Sequence, residues 1–337
     1  MKRRHFLAGM GATGVIPVSG CNIFSDKDDD KNESAPFFID RRMLGETGIE
    51  ISRLGFGSHL KAEVIAAPEN RDRMIKRGFE GGINLFDVYN HSGYNQFKPM
   101  GESLRDIRTD VVISLCAVNI TSALQAEIDG ALTDFHTDYI DLYRLYSVND
   151  ERMDIMVKAK EAGKVRAIGI VGHDVGTING YLDRYGSTID YIMMILNFHH
   201  NKAIILGNHT KRSFTNDYSS LLPRILELKL GIIGMKPMGS DAMIDLAREH
   251  SFFERQDINI AQAMLRYVFQ TSEIDTVLTA MNSMEEVDTN LDAAYAPALS
   301  SEEMKALEEL SEIASSTESA YLPARYRWLE NWSTRQA

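Results

Sequence analysis

Gly82-Ile83-Asn84-Leu85-Phe86-Asp87-Val88-Tyr89-Asn90-His91-Ser92-Gly93-Tyr94, running on to Gly101-Glu102-Ser103-Leu104, changes character twice within a short span. It starts as an apolar, strand-like run, meets a carboxylate at Asp87, and opens into a polar loop carrying Tyr89 and Tyr94. The loop ends at Gly101, where a helical pattern is expected to begin. Strand, polar loop and helix in that order make one βα unit. A carboxylate at the C-terminal end of its strand stands where barrel enzymes carry their chemistry. The same pattern also describes an ordinary βα loop with a solvated Asp and two packing tyrosines, so the unit alone fixes no reaction.

Working outward, β-type runs recur at residues 52–58, 84–89, 111–118, 139–146, 165–172, 191–198, 231–237 and 276–281. Stretches of helical period lie between most of them, as at 69–80, 121–134 and 152–162. Strands alternating with helices mean βαβ units and a parallel sheet. Eight such units predict an α/β fold, a single-domain (β/α)8 TIM barrel. An open doubly wound sheet would need a glycine-rich phosphate turn after an early strand, and this sequence has none.

Size and charge agree with that architecture. The chain has 337 residues, 44% hydrophobic, enough for one large core. A net charge of -12 without a basic stripe argues against nucleic acid as a partner. Two cysteines, Cys21 and Cys116, do not make a disulfide framework.

The N-terminus reads as an address. Met1-Lys2-Arg3-Arg4-His5-Phe6-Leu7 is basic, and the apolar run from Ala8 to Val18 is too short to span a bilayer. It resembles a twin-arginine signal peptide ending in a lipobox at Val18-Ser19-Gly20-Cys21. Residues 1–21 are therefore expected to be leader, with a membrane anchored through lipid on Cys21. Residues 22–36, including the charged run 25–34, lack any apolar period and form a tether. The barrel occupies 37–337, and the whole is expected to be exported, as a periplasmic or cell-surface lipoprotein.

Short motifs in fixed order carry a family resemblance. Arg42-Met43-Leu44-Gly45-Glu46-Thr47-Gly48 with Ser52-Arg53-Leu54-Gly55-Phe56-Gly57 resembles the opening of the aldo/keto reductases. Phe86-Asp87 with Gly101-Glu102-Ser103-Leu104, then Thr137-Asp138-Tyr139-Ile140-Asp141-Leu142-Tyr143, continue the likeness. Val165-Arg166-Ala167-Ile168-Gly169-Ile170, Lys236-Pro237-Met238-Gly239 and Ala261-Gln262-Ala263 follow in the family's order. The resemblance implies an oxidoreductase that uses NADP or NAD, passing a hydride from the reduced form, NADPH or NADH, to a small carbonyl substrate while a tyrosine gives the proton.

The same resemblance implies four catalytic positions: an aspartate, a tyrosine, a lysine and a histidine. Asp87 matches the aspartate. The tyrosine's usual spacing lands on Ser92, with Tyr89 early and Tyr94 late; the longer loop after Gly93 favours Tyr94. Cys116 stands in place of the lysine and Tyr146 in place of the histidine. A phenol near pKa 10 needs a nearby cation to work as acid and base at neutral pH, and a thiol supplies none. Tyr146 can itself hydrogen-bond a substrate oxygen. If Tyr146 faces the barrel interior, strand alternation turns Arg144 inward one layer deeper. An interior arginine needs a carboxylate, so Arg144 is expected to reach Asp87 and replace the lost lysine as the site's cation.

For the cofactor, the resemblance points to Gly172 and His173 after strand five, to Asn197 and Lys236, and to Ser283 and Asn290 at the adenosine end. Met193 replaces the glutamine expected on strand six, and Asn282 stands where a basic residue would hold a 2′-phosphate. His199, His200 and His209 read as solvated loop histidines rather than metal ligands, having no paired carboxylate or Cys spacing. Tyr326 and Trp328 in the tail are candidates for substrate contact. Two further readings stay open: a redox-silent barrel that binds a ligand or partner, and a different reaction on a sugar-like substrate using Asp87, Tyr94 and Tyr146.

Overall fold

The computed structural model describes residues 39–57, 60–90, 95–117, 123–199, 202–207, 210–215 and 218–317. Two short strands come first, β1 (Arg41–Met43) and β2 (Glu50–Ser52), paired antiparallel. Six strands follow in parallel: β3 (Leu54–Phe56), β4 (Leu85–Tyr89), β5 (Val112–Ala117), β6 (Ile140–Leu145), β7 (Val165–Gly172) and β8 (Tyr191–Ile195). A second antiparallel pair, β9 (Lys202–Gly207) and β10 (Thr210–Thr215), precedes β11 (Gly231–Met235) and β12 (Thr276–Thr279). β12 pairs back onto β3, closing an eight-stranded parallel barrel. The predicted (β/α)8 fold is the observed one, and each predicted run supplies one barrel strand.

Both faces of these strands are buried, which is why they read as continuous apolar runs. Phe86, Val88, Ile113, Leu115, Ile168 and Ile170 face outward into the layer shared with the helices. Leu85, Cys116, Leu142, Ala167, Val171 and Met193 alternate with them into the barrel interior. Leu44, Ile49 and Ile51 of the β1–β2 hairpin join the interior cluster and plug its lower end. The upper end, where the strands' C-termini gather, is left for the site.

Two local expectations change. The helix after β4 runs Phe97–Leu104, so Gly101 lies inside it rather than before it. A Cβ on Gly101 would stand 2.0 Å from the Asp134 carbonyl oxygen, so this glycine serves a close approach to the helix Leu124–Asp134. The β9–β10 hairpin was not expected at all. Its sequence signal is a pair of short runs, 202–207 and 210–215, that the neighbouring histidines obscure. The leader, the tether, Cys21, Tyr94, His200, His209, Tyr326 and Trp328 lie outside the described residues.

Candidate active site

Period-two alternation decides what enters the barrel. On β4 it turns Asp87 inward, on β5 Ser114 and Cys116, on β6 Arg144 and, just past its end, Tyr146. The register sets Asp87 beside Ser114 and Cys116 beside Arg144, so side chains from three strands converge. Arg144 Nη2 donates to Asp87 Oδ2 at 2.9 Å, and Nη1 donates to Asp87 Oδ1 and, at 3.0 Å, to Ser114 Oγ. Ser114 Oγ in turn donates to Asp87 Oδ1 at 2.6 Å. Both charged side chains are buried, 4% and 2% exposed. Burial opposes the Arg144 charge, and the Asp87 carboxylate more than restores it, holding the guanidinium above its ordinary pKa.

This pair forms a charge-neutral floor, and Tyr146 stands one layer above it at the mouth. The Tyr146 ring meets the His173 ring edge-on, centroids 5.8 Å apart. Burial first, then Cys116 and Tyr181, hold the Tyr146 phenol above its usual range. Burial and then the Lys236 ammonium push the His173 imidazole down to about 4, so it is neutral at physiological pH. Lys236 follows β11 with a left-handed backbone, φ 56°, an arrangement costing a non-glycine residue roughly 1–2 kcal/mol. The Asn197 amide helps hold it there: Nδ2 donates to the Lys236 carbonyl at 3.3 Å, and Oδ1 accepts from the His199 amide at 3.1 Å.

His199 corrects the reading of the loop histidines. It is buried, and its Nδ1 pairs with Ser311 Oγ at 2.7 Å, tying the loop after β8 to the helix Ser301–Thr317. Cys116 is buried as expected of a small strand-end residue, and burial pushes its thiol up to about 11.

At the opposite side of the mouth, β12 runs through Ala280-Met281-Asn282-Ser283 into the helix Met284–Tyr295. Ser283 Oγ caps that helix by accepting from the Glu286 amide at 3.1 Å. Glu286 Oε2 accepts from the Asn282 amide at 2.7 Å, and Asn282 Oδ1 from the Lys61 amide at 2.7 Å. Asn290, farther along the same helix, is 2% exposed.

A sequence profile described as the Aldo/keto reductase family matches residues 53–312, more than three-quarters of the chain. The chain belongs to the aldo/keto reductase family. It is 23% identical over 293 residues to L-galactose dehydrogenase of Arabidopsis thaliana, covering 76% of this chain and 88% of that one. An uncharacterized oxidoreductase of Bacillus subtilis is 24% identical over 311 residues, covering 80% of this chain and 95% of its own. Among solved structures, an aldo-keto reductase from Bacillus halodurans superposes with a TM-score of 0.62 at 22% identity, covering 81% and 96% of the two chains. One from Klebsiella pneumoniae, in complex with NADPH, gives 0.60 at 19% identity, covering 81% and 95%.

The structure brings Asp87 and Arg144 together, and separately Tyr146 with His173 and Lys236. Ser114 and Tyr191, absent from the sequence reading, complete the floor. Ser114 was legible, since it faces the same way as Cys116 two residues later; Tyr191 was not, because its contact comes from a distant strand. The family implies a nicotinamide nucleotide. Asn290, 2% exposed on the helix after β12, would meet the adenosine end of one. Asn197 and Ser283 each carry internal hydrogen bonds of the fold.

Proposed function

We propose that the protein reduces a small carbonyl compound with a nicotinamide nucleotide at the C-terminal mouth of the barrel, Tyr146 giving the proton. The observation that carries this reading is a protonated phenol, Tyr146, set against the neutral imidazole of His173 above a floor whose charges cancel. A bound nicotinamide would supply the hydride to the carbonyl carbon. As that C–H bond forms and the C=O π bond opens, the oxygen takes the Tyr146 proton. An alcohol is about as weak an acid as water and far weaker than a phenol, so even a phenol without an adjacent cation gives up its proton to a nascent alkoxide. The reverse reaction needs Tyr146 as phenolate at the outset. Burial opposes that form, and the Arg144 charge is already engaged by Asp87. The chemistry therefore favours reduction over oxidation. His173 and Lys236 orient the substrate oxygen and the nucleotide.

Polyhydroxylated carbonyl compounds head the test panel, in keeping with the L-galactose dehydrogenase relative. Tyr146→Phe is expected to lower kcat by roughly a hundred- to ten-thousandfold while leaving nucleotide affinity within a few-fold. An unchanged rate in Tyr146→Phe with loss in Tyr94→Phe would move the proton donor to Tyr94. Absence of nucleotide binding at millimolar concentration would replace this reading by the redox-silent barrel, which the engaged Arg144 charge favours.

The place of action is part of the proposal. Arg3-Arg4, the lipobox-like Val18-Ser19-Gly20-Cys21 and the acidic tether support export and lipid attachment at Cys21. Metabolic labelling with a fatty-acid analogue should mark the full chain and not its Cys21→Ser variant; equal labelling of both would rule lipid at Cys21 out.

A further inference from the structure

We infer that Arg152, a residue outside the barrel, positions the proton donor by fixing the strand end and the loop that present the Tyr146 phenol. The inference rests on the reading above that Tyr146 gives the proton.

Tyr146 is the first residue past β6, so the barrel ladder holds it weakly. Its amide donates to the carbonyl of Ala117, the last residue of β5, over a long 3.3 Å. Arg152 Nη2 donates to that same oxygen at 3.4 Å. A carbonyl oxygen has two lone pairs, and here Tyr146 and Arg152 share them. The far end of the loop depends on Arg152 as well. Its backbone amide donates at 2.9 Å to Asn149 Oδ1, the cap of the helix Asp150–Glu161. Residues 146–149 are therefore strung between two contacts of one residue.

Burial sharpens the point. Arg152 is 3% exposed, in the layer between strands and helices. Burial lowers its pKa, and the Glu127 carboxylate offsets part of that. Tyr143, turned outward on β6, donates to Glu127 Oε1 at 2.7 Å and holds the carboxylate in place. Apolar residues often replace such buried charges without loss of stability, so stability alone does not account for an arginine here. What it supplies is a rigid fork of donors at the strand end beside the phenol. Proton transfer needs the phenol within hydrogen-bond reach of the substrate oxygen, and that reach is set where Tyr146 leaves the sheet.

The test uses the purified full chain labelled with 13Cζ-tyrosine, the Tyr146 resonance being assigned by its loss in Tyr146→Phe. Reduction of glyceraldehyde, a small polyhydroxylated carbonyl compound, is followed with NADH and with NADPH. Arg152→Met keeps the length and removes the donors. It should shift or broaden the Tyr146 resonance and lower kcat roughly ten- to hundredfold, with the nucleotide KM within about twofold. Arg152→Lys, which keeps the charge without the fork, should lie between. Tyr143→Phe removes the bond to Glu127 and leaves the Ala117 contact, so it should keep kcat and the Tyr146 resonance whatever it does to thermal stability. An unmoved resonance or an unchanged kcat in Arg152→Met overturns the inference, as does a Tyr143→Phe variant that reproduces both changes. If Arg152→Met does not fold, Arg152→Lys is read by the same criteria. Wild-type protein that reduces no glyceraldehyde with either nucleotide counts against the reductase reading alone, and the resonance still decides whether Arg152 positions Tyr146.

Discussion

The ring of Tyr191 lies flat across Gly169: a Cβ on Gly169 would stand 2.2 Å from Tyr191 Cζ. The two residues are register partners on β7 and β8, so a strand with no side chain at this point makes room for a phenol in the barrel's centre. Tyr191 is fully buried, and its hydroxyl, within the reach of Ser114, makes no well-formed hydrogen bond among the described residues. Gly169→Ala should therefore force the ring aside and destabilise the fold by roughly 1–3 kcal/mol, the range for overpacking. Tyr191→Phe removes only an unsatisfied hydroxyl and should be neutral or mildly stabilising. Denaturant unfolding of both variants checks the pair; a large loss in Tyr191→Phe would mean that the hydroxyl is bonded in solution.

The Asp87–Arg144 pair predicts a strong coupling. Arg144→Leu leaves a buried carboxylate without its partner and should cost roughly 3–5 kcal/mol. Combined with Asp87→Asn the loss should shrink, and the difference read by a double-mutant cycle is the coupling energy. Strict additivity would show that the contact carries no energy.

Restoring the family's lysine alone should fail. Cys116→Lys puts a second cation beside Arg144, its register partner, with Asp87 already engaged. Loss of stability is expected in the single variant and partial recovery in Cys116→Lys with Arg144→Leu, where the lysine inherits the carboxylate. Spectrophotometric titration of tyrosine should then show a phenol lowered in the double variant and not in the wild type. A fully stable Cys116→Lys single variant would contradict the crowded-cation picture.

His173 makes acid stability predictable. Its pKa falls from 6.5 to about 4 on folding, through burial and then Lys236, so the unfolded chain binds the extra proton. The stabilisation is whole above pH 6.5 and is lost as pH falls toward 4, amounting to at most about 3 kcal/mol before solvent screening is allowed for. Thermal melts of His173→Gln across that window should be flatter than those of the wild type. Lys236→Met should let the imidazole titrate higher, as NMR of the ring protons would read.

Cys116 should resist thiol reagents. Burial keeps the group 4% exposed and its pKa up at about 11, so little thiolate exists at pH 8. In a Cys21→Ser background, modification should be slow in the native protein and complete in denaturant; rapid native labelling would mean that the barrel mouth opens.

The barrel itself was legible because it depends on local signals. Alternating apolar runs and helical periods mark eight βα units, and no distant contact is needed to count them. Arg144's inward turn was legible for the same reason, since alternation on β6 fixes it once Tyr146 faces in. Other features escaped because their sequence signals are weak or shared with surface loops: the β9–β10 hairpin, the burial of His199 against Ser311, and the engagement of Asn282 by Glu286.

Sequence by itself thus determined the fold, the family likeness, and an arginine turned to the interior beneath Tyr146. Tertiary structure decided what that arginine does. Asp87 and Arg144 are 57 residues apart, and Ser114 comes from the strand between them. Whether the arginine's charge serves a phenol or cancels against a carboxylate depends on distances of a few ångströms across three strands, which periodicity along one strand does not specify. Closure of the barrel sets those distances, and it commits the Arg144 charge to Asp87.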